Sequence, residues 1–205
     1  MSTSSDNIKF SHKINNIGQL QTFYSSWSKS YDDDVKKCNY SGPESLIKIL
    51  VDMFKINGSR IIDVGCGTGL LSDHLDTDKY QIEVDGLDFS QEMLDIAKER
   101  DYYTHLYQKN VYLIDENVER IYDFAISSGM FTHSHVEPRA IENILHLLTQ
   151  YGSFMFTVRS SYCEKFNFDD YIKQLQSDKK IRNYMKIENV SYIEGEECSV
   201  FVLYK

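Results

Sequence analysis

The sequence predicts an α/β fold: a mostly parallel sheet of seven strands with helices on both faces. From residue 44 onward, short apolar runs alternate with amphipathic segments at helical spacing, which is typical of a parallel sheet. The end of the chain breaks this alternation with two β-rich runs, 184–194 and 198–205. Only a few residues around Gly195 separate them, and a connection that short requires an antiparallel hairpin.

The remaining elements follow in chain order. Strands are expected at residues 60–64, 82–88, 104–111, 122–128 and 153–159, the third being the weakest. Helices are expected at residues 44–54, from Gly69 to Leu75, and at 90–100, 138–148 and 168–176. Ser90 is the expected N-cap of the 90–100 helix, and Pro138 lies in the first turn of the 138–148 helix.

Length and composition predict one globular domain. The 205 residues are enough for a buried core, and 41% of them are hydrophobic. We expect residues 1–18 to form a tail, disordered at its start, and residues 19–205 to form the domain. No apolar run approaches the roughly 18 residues that would suggest a membrane span. Neither a signal peptide nor a membrane partner is therefore expected.

The charge and the cysteines exclude several classes of function. The formal net charge of −9 disfavours nucleic-acid binding, because phosphate neutralisation by basic residues supplies most of that affinity. The four cysteines are far apart in the sequence, so no metal site and no disulfide framework is expected. A reducing, cytoplasmic setting fits this pattern best. The sequence gives no indication of oligomeric state.

A glycine-rich loop follows the first strand. The stretch "RIIDVGCGTGLL" places Gly65, Gly67 and Gly69 directly after the strand that ends with Asp63 and Val64. In an open α/β sheet, ligands bind outside the carboxyl ends of the strands, and glycines allow a ligand to approach the backbone closely. We therefore expect a ligand at this loop.

Two ligand classes fit a glycine-rich loop. Dinucleotide sites use the spacing GxGxxG, but here the third glycine comes one residue early and Leu70 occupies the last position. Asp63 at the mouth of the loop would repel a pyrophosphate. The same acid suits a ligand that carries an ammonium and a sulfonium, which favours S-adenosylmethionine over a nicotinamide dinucleotide.

"IIDVGCGTGLL" resembles the first motif of the class I S-adenosylmethionine-dependent methyltransferases. The expected seven-stranded sheet with its terminal hairpin resembles their Rossmann-like fold. The stretches "FYSSWSKSYDDDV", "GLDFSQEMLDIA", "YDFAISSGMFTHSHV" and "VFVLYK" look like the methyltransferase-like proteins of the Williams–Beuren region. The resemblance covers the chain from about residue 20 to its end and implies S-adenosylmethionine as the cofactor.

The resemblance implies a set of cofactor-binding residues. Asp88, at the end of the second strand, would accept hydrogen bonds from the ribose hydroxyls, and Asp85 is its rival. Asn110 stands where relatives often carry an acid for the adenine amino group. The full set expected to contact the cofactor is Trp27, Tyr31, Asp63, Gly65, Cys66, Gly67, Asp88, Phe89, Met93, Asn110, Val111 and Ser127. Alternatively, Trp27 and Tyr31 only anchor the first helix, and Phe89 and Met93 only pack in the core.

The chemistry is expected at "SSGMFTHSHV", which follows the fourth strand. His133 is the candidate catalytic base, with His135 as a weaker one, because histidine titrates near neutral pH. A structural role in the loop before Pro138 is the alternative. Arg159, just past the fifth strand, could pair with an acidic substrate or cap the strand.

We predict an S-adenosylmethionine-dependent methyltransferase that acts on a small molecule by in-line displacement. A protein methyltransferase is one alternative, because an acidic surface suits a basic protein substrate. A cofactor-binding module without catalysis is a second, motivated by the absence of a familiar catalytic signature. A nicotinamide oxidoreductase is a third, disfavoured by Leu70 and the terminal hairpin.

Overall fold

Seven strands form a single sheet in the computed structural model, which describes residues 17–115, 119, 121–132 and 136–205. The strands are β1 (Arg60–Val64), β2 (Glu83–Asp88), β3 (Leu106–Gln108), β4 (Tyr122–Phe131), β5 (Leu148–Arg159), β6 (Asn183–Ile193) and β7 (Glu196–Tyr204). The helices are α1 (Ile17–Lys37), α2 (Gly42–Met53), α3 (Thr77–Tyr80), α4 (Gln91–Lys98), α5 (Ala140–Leu147), α6 (Ser160–Lys165) and α7 (Phe168–Ser177). Single 3₁₀ turns occupy Leu70–Asp73 and Val111–Leu113.

The strand order is β3-β2-β1-β4-β5-β7-β6. Strands β1 to β5 pair in parallel, while β7 is antiparallel to both β5 and β6. The order reverses at β1, since β2 and β4 lie on its two sides. A crevice is expected beyond the carboxyl ends of these three strands, because the connections that follow them leave in opposite directions.

Two apolar layers cover the two faces of the sheet. On one face α5 and α7 bury an aromatic cluster in which the Phe131 and Phe156 rings lie 4.9 Å apart. On the other face α2 packs Leu46, Ile47 and Leu50 against β1, β4 and the hairpin. Because both faces are covered, the central strands are apolar along nearly their whole length.

The predicted fold class is confirmed, including the terminal antiparallel hairpin. β1 has the predicted bounds, and Ser90 caps α4 by accepting a hydrogen bond from the backbone N–H of Met93 at 3.4 Å. The predicted helix from Gly69 to Leu75 is wrong, since only the 3₁₀ turn Leu70–Asp73 forms there. Asp76 interrupts it by accepting from the Lys79 N–H, which starts the separate helix α3.

Within the part of the chain that the structure describes, no helix is long and apolar enough to cross a membrane.

Candidate functional site

A crevice opens where the carboxyl ends of β1, β2 and β4 meet. Its lining residues enclose about 870 Å³, a volume that includes the open mouth. Its walls are Tyr24, Tyr31, Val64, Gly65, Gly67, Leu87, Asp88, Phe89, Met93, Lys109, Asn110, Val111, Tyr112, Ser128, Gly129, Met130 and Val136.

The glycine loop forms the floor of the crevice. Gly65 and Gly67 have φ angles of +73° and +54°, a left-handed conformation that favours glycine. The N–H groups of Gly65 and Cys66 both donate to the Leu87 carbonyl, at 2.7 and 3.1 Å, which fixes the loop against the end of β2. A Cβ added at Gly67 would meet nothing within 4 Å, so the backbone there faces open space.

Asp88 is the buried carboxylate of the crevice. One oxygen accepts from the Gly67 N–H and the other from the Ser90 N–H, both at 2.9 Å. Burial raises the pKa of Asp88, and these backbone hydrogen bonds act against that rise. The side chain is therefore held in place by the backbone on both sides while it still lines the cavity.

Asp85, the rival carboxylate, lies inside the sheet and away from the crevice. It accepts from the Tyr122 hydroxyl at 2.6 Å and from the His105 N–H at 3.0 Å. Asp88 differs from Asp85 in its position along β2. It is the last residue of the strand, where the glycine loop passes. The structure thus brings Asp88 into the crevice and leaves Asp85 as a structural group.

Asp63 lies in an inner recess beneath the glycine loop. This recess shares Tyr31, Gly65, Gly67 and Ser128 with the crevice. The carboxylate of Asp63 is 3% exposed and accepts from the Tyr103 hydroxyl at 2.8 Å. Its burial raises the pKa to about 7; the Tyr103 hydrogen bond lowers it, and the nearby Asp88 charge raises it.

Cys66 also lies in the inner recess rather than in the crevice. Its thiol is buried, and burial raises its pKa well above the ordinary value, with the carboxylates of Asp63 and Asp88 adding to the rise. A neutral thiol at this position packs as a small apolar group.

The far wall of the crevice is apolar and aromatic. Phe89, Met93 and Val111 line it together. Asn110 lies beside them, and its side-chain oxygen accepts from the Tyr112 N–H at 3.0 Å, which caps the 3₁₀ turn Val111–Leu113. The wall can therefore pack against a flat ring, with the Asn110 amide at the edge of that ring.

Helix α1 covers the crevice through Tyr24 and Tyr31. A hydrogen-bonded group, which we call the latch, ties this helix to the glycine loop: Asp32 accepts from the Thr68 hydroxyl at 2.5 Å and from Arg100 at 2.6 Å. Arg100 also donates to the Thr68 carbonyl at 2.6 Å. The latch thus joins α1, the glycine loop and the turn that follows α4.

A second chamber opens beside the crevice, with about 460 Å³ of space counted in the same way. We call it the aromatic chamber, because half of its lining residues carry aromatic rings. Its aromatic walls, with one arginine, are Tyr24, Trp27, Tyr31, Tyr40, Tyr192 and Arg159. Tyr24, Tyr31 and Gly129 line both spaces, so the two are neighbours.

Most of the residues predicted from the sequence meet in one place. The structure brings Tyr31, Gly65, Gly67, Asp88, Phe89, Met93, Asn110 and Val111 to the crevice. Asp63 and Cys66 lie in the adjoining recess. Trp27 does not reach the crevice; it is 4% exposed, donates to Asp34 at 2.8 Å and lines the aromatic chamber.

Ser127 also lies outside the crevice, which Ser128 lines instead. Successive side chains of a strand point to opposite faces, so a one-residue difference moves the hydroxyl to the other side of β4. The Ser127 hydroxyl is buried, with no hydrogen-bond partner among the described residues. His133, the candidate base, and His135 lie outside the described residues.

Other wall residues were not singled out from the sequence, notably Tyr24, Tyr112 and Gly129. Helical spacing could have identified Tyr24, which is seven residues before Tyr31 and therefore on the same face of α1. Gly129, with a φ of +89°, gave no signal because a single glycine near a strand end does not specify which space it lines.

The residues present fit S-adenosylmethionine. The open backbone at Gly67 and the buried carboxylate of Asp88 offer groups for a ribose, and the apolar wall offers a surface for an adenine. The inner recess ends in the Asp63 carboxyl, which suits an ammonium. Among the described residues no three potential ligands gather into a metal site.

Comparisons with known proteins agree with this fit. The sequence matches the family described as methyltransferase domain over residues 39–199. It is 30% identical to a malonyl-[acyl-carrier protein] O-methyltransferase of Bacillus anthracis over 119 residues, which are 55% of this chain and 42% of that protein. Methyltransferase-like protein 27 of Homo sapiens is 30% identical over 101 residues, 48% of this chain and 41% of its own length.

A ubiquinone biosynthesis O-methyltransferase of Coxiella burnetii is 28% identical over 115 residues, 54% of this chain and 48% of that protein. The matches to these relatives thus cover less than half of their lengths. The human protein agrees with the resemblance to the methyltransferase-like proteins of the Williams–Beuren region.

Solved structures show the same fold. A TehB-like S-adenosylmethionine-dependent methyltransferase from Corynebacterium glutamicum superposes with a TM-score of 0.61 at 18% identity, covering 88% of this chain and 98% of that one. The plantazolicin methyltransferase in complex with S-adenosylhomocysteine gives 0.56 at 15% identity, covering 92% and 97%. With the family match over most of its length, the chain belongs to the class I S-adenosylmethionine-dependent methyltransferases, whose cofactor is S-adenosylmethionine.

Proposed function

We propose that this chain transfers a methyl group from S-adenosylmethionine to a small-molecule acceptor. One observation carries the proposal: a buried carboxylate, Asp88, lines the crevice beside a left-handed glycine loop whose backbone faces open space. The names of two relatives, which specify O-methyl transfer to a malonyl group and in ubiquinone biosynthesis, make oxygen acceptors the first to test.

Each part of the cofactor has a proposed partner in this chain. Asp88 accepts hydrogen bonds from the ribose hydroxyls, each worth about 1.5–3 kcal/mol because the acceptor is charged. Phe89, Met93 and Val111 pack against the adenine. Asn110 accepts from the adenine amino group with the lone pair that the Tyr112 N–H leaves unused.

The methionine end lies toward the inner recess. Asp63 faces the ammonium there, and the Tyr31 hydroxyl donates to the carboxylate. Burial raises the pKa of Tyr31 well above its ordinary value, so its hydroxyl keeps its proton and can donate a hydrogen bond. Because the pKa of Asp63 is about 7, its carboxyl is divided between the protonated and ionised forms at neutral pH. A cation in the recess shifts this balance toward the ionised form.

When bound, S-adenosylmethionine would supply a methyl carbon activated by its sulfonium. The acceptor's nucleophile would form a bond to that carbon in line, and the sulfur would leave as a thioether with the electron pair of the broken C–S bond. The protein's part is orientation and exclusion of water. Tyr24 and Tyr31 close the crevice from the α1 side, and Met130 closes it from the end of β4. Orientation of this kind can supply roughly 7–11 kcal/mol.

The tyrosines near the crevice cannot take up the proton that the methyl acceptor loses. Burial raises the pKa values of Tyr31, Tyr40 and Tyr192, so their hydroxyls hold their protons at neutral pH. His133 is the proposed base for an acceptor that needs one, as an imidazole titrates near pH 6.5. An acceptor that is already ionised needs no base.

The proposal is tested first by cofactor binding and then by transfer. We expect S-adenosylmethionine and S-adenosylhomocysteine at about 100 times their dissociation constants to raise the thermal midpoint by about 5–10 °C, and NADH to leave it unchanged. Methyl-labelled cofactor should then transfer label to a low-molecular-weight fraction of a metabolite extract. No thermal shift with either adenosyl ligand, or binding with label recovered only on protein, would contradict the proposal.

A further inference from the structure

The aromatic chamber contains a buried arginine that the cofactor does not account for. Arg159 lies at the end of β5, and its side chain is 10% exposed. It forms an ion pair with Glu196, whose carboxylate is 49% exposed at the start of β7. A guanidinium stays charged at all physiological pH values, so its burial is costly unless anions face it.

Rings make up most of the rest of the chamber. Trp27 and Tyr31 meet edge to face with centroids 4.8 Å apart, and Tyr40 and Tyr192 do the same at 5.1 Å. These contacts hold the rings in fixed positions, since each supports the other. The chamber therefore offers a lining of fixed rings, against which an aromatic body can pack.

The chamber lies directly beside the crevice. Gly129 stands between the two, and a Cβ added there would lie 2.9 Å from the Tyr40 hydroxyl and 3.5 Å from that of Tyr192. The Tyr40 hydroxyl, which also pairs with the Ser128 hydroxyl at 2.8 Å, therefore packs directly against Gly129. Tyr24, Tyr31 and Gly129 line both spaces, so a molecule in the chamber would lie beside the cofactor site.

We infer that the aromatic chamber is the acceptor site, and that it selects a flat aromatic molecule bearing a carboxylate, which Arg159 binds. The planar fork of a guanidinium matches the two oxygens of a carboxylate, and the surrounding rings pack against the body of the acceptor. The inference rests on the proposed function, because it names the class of acceptor for that reaction. Glu196 competes with the acceptor for Arg159 from the solvent side.

The test compares two probes of the same shape that differ in charge, benzoate and benzamide. Their affinities are measured by calorimetry on protein saturated with S-adenosylhomocysteine. We expect benzoate to bind at least 10-fold more tightly than benzamide, and Arg159→Gln to remove this preference without changing the affinity for S-adenosylhomocysteine. Arg182→Gln is the control: Arg182 is exposed and lies over the ring of Tyr151, at the opposite end of the sheet.

A second variant guards against loss of folding in Arg159→Gln. Glu196→Gln removes the competing carboxylate from a half-exposed position, and we expect it to raise the affinity for benzoate by about 3- to 10-fold. Equal binding of the two probes by the wild-type protein, or weaker benzoate binding in Glu196→Gln, would overturn the inference. Acetate that binds as tightly as benzoate would also overturn it, since the rings would then contribute nothing.

The two proposals fail in different ways. If S-adenosylhomocysteine does not bind, the proposed function is lost, while the preference for benzoate over benzamide can still be measured on the protein alone. If S-adenosylhomocysteine binds and neither probe is preferred, the function stands and only the acceptor class is wrong.

Discussion

The crevice and the aromatic chamber lie side by side, yet they are built differently. In the crevice, the charged group is held by the backbone: Asp88 accepts from the N–H groups of Gly67 and Ser90. In the chamber, the charged group is held by another side chain, since Arg159 pairs with Glu196. Backbone contacts persist through most substitutions, whereas a side-chain partner is lost with a single one.

The two sites also differ in how much of the chain they draw on. Apart from α1, the floor and apolar wall of the crevice come from residues 64–112. The chamber gathers its walls from α1, Tyr40 and the ends of β4, β5 and β6. A site assembled from distant segments can change its specificity piece by piece while the adjoining site stays constant. This division suits an enzyme family with one cofactor and many acceptors.

The largest expected effect tests the backbone-held carboxylate. Asp88→Ala should weaken the binding of S-adenosylhomocysteine by about 100- to 1,000-fold, or about 3–4 kcal/mol, because two charge-assisted hydrogen bonds to the ribose are lost. Calorimetric titration measures the change. Asp95→Ala is the control, an exposed carboxylate on α4 outside the crevice, which should bind normally. A loss below 10-fold would remove Asp88 from the ribose site.

The next effect tests the inner recess through pH. Asp63 has a folded-state pKa of about 7, against about 3.9 in the unfolded chain. Between these two pKa values, Asp63 is protonated in the folded state and ionised in the unfolded chain. The free energy of unfolding therefore falls as the pH rises toward 7. Asp63→Asn cannot ionise, so relative to the wild type it should gain about 2–3 kcal/mol between pH 5 and pH 8.

Urea unfolding of the protein without ligand at the two pH values measures this gain. Other groups titrate alike in both chains and cancel in the difference. Asp95→Asn, at an exposed carboxylate, should show no such divergence from the wild type. If Asp63→Asn and the wild type change in parallel with pH, the carboxyl of Asp63 does not carry a raised pKa.

The crevice could be predicted from the sequence because its signals are local. β1 and its glycine loop have their predicted bounds, since the apolar run, Asp63 and the glycines are contiguous. Asp88 could be preferred to Asp85 for the same reason, as it ends its strand immediately before the cap of α4. Their roles as cofactor ligands stay predictions.

The chamber could not be predicted, because no local pattern specifies which distant side chains meet. Trp27 was expected over the cofactor, and the hydrogen bond from its indole N–H to Asp34 helps fix it in the chamber wall instead. The sequence predicts Ser127 at the crevice, but Ser128 lines it instead. Two serines in succession do not show which of them points to which face of the strand. The sequence predicts a helix where only the 3₁₀ turn Leu70–Asp73 forms, because apolar spacing does not show that Asp76 begins a separate helix.

A smaller effect tests the packing of Tyr40 against Gly129, on the wall that the two sites share. Gly129→Ala and Gly58→Ala both place a side chain on a left-handed backbone, at φ angles of +89° and +73°. A Cβ at Gly58 meets nothing within 4 Å, whereas one at Gly129 lies 2.9 Å from the Tyr40 hydroxyl. We expect urea unfolding to show a loss of about 1 kcal/mol for Gly58→Ala and about 2 kcal/mol for Gly129→Ala. Equal losses would mean that Tyr40 moves aside easily and that the wall between the sites is soft.

The smallest effect tests the latch, where side chains from distant segments tie the cover of the crevice to the glycine loop. Thr68→Val keeps the shape of the side chain but removes the hydrogen bond from its hydroxyl to Asp32. We expect dissociation of S-adenosylhomocysteine to become about 3- to 10-fold faster in stopped-flow measurements, because a hydrogen bond worth about 1 kcal/mol no longer ties α1 to the loop.

Arg60→Gln is the control for the latch, since it breaks the exposed ion pair with Glu83 at the opposite end of β1 and should leave dissociation unchanged. If the dissociation rate is the same in Thr68→Val and the wild type, the Thr68–Asp32 hydrogen bond does not hold α1 over the crevice. Packing of rings such as Tyr24 and Tyr31 would then hold it there. The crevice would then owe its cover to ring contacts, as the chamber does, and the difference between the two sites would be confined to their charged groups.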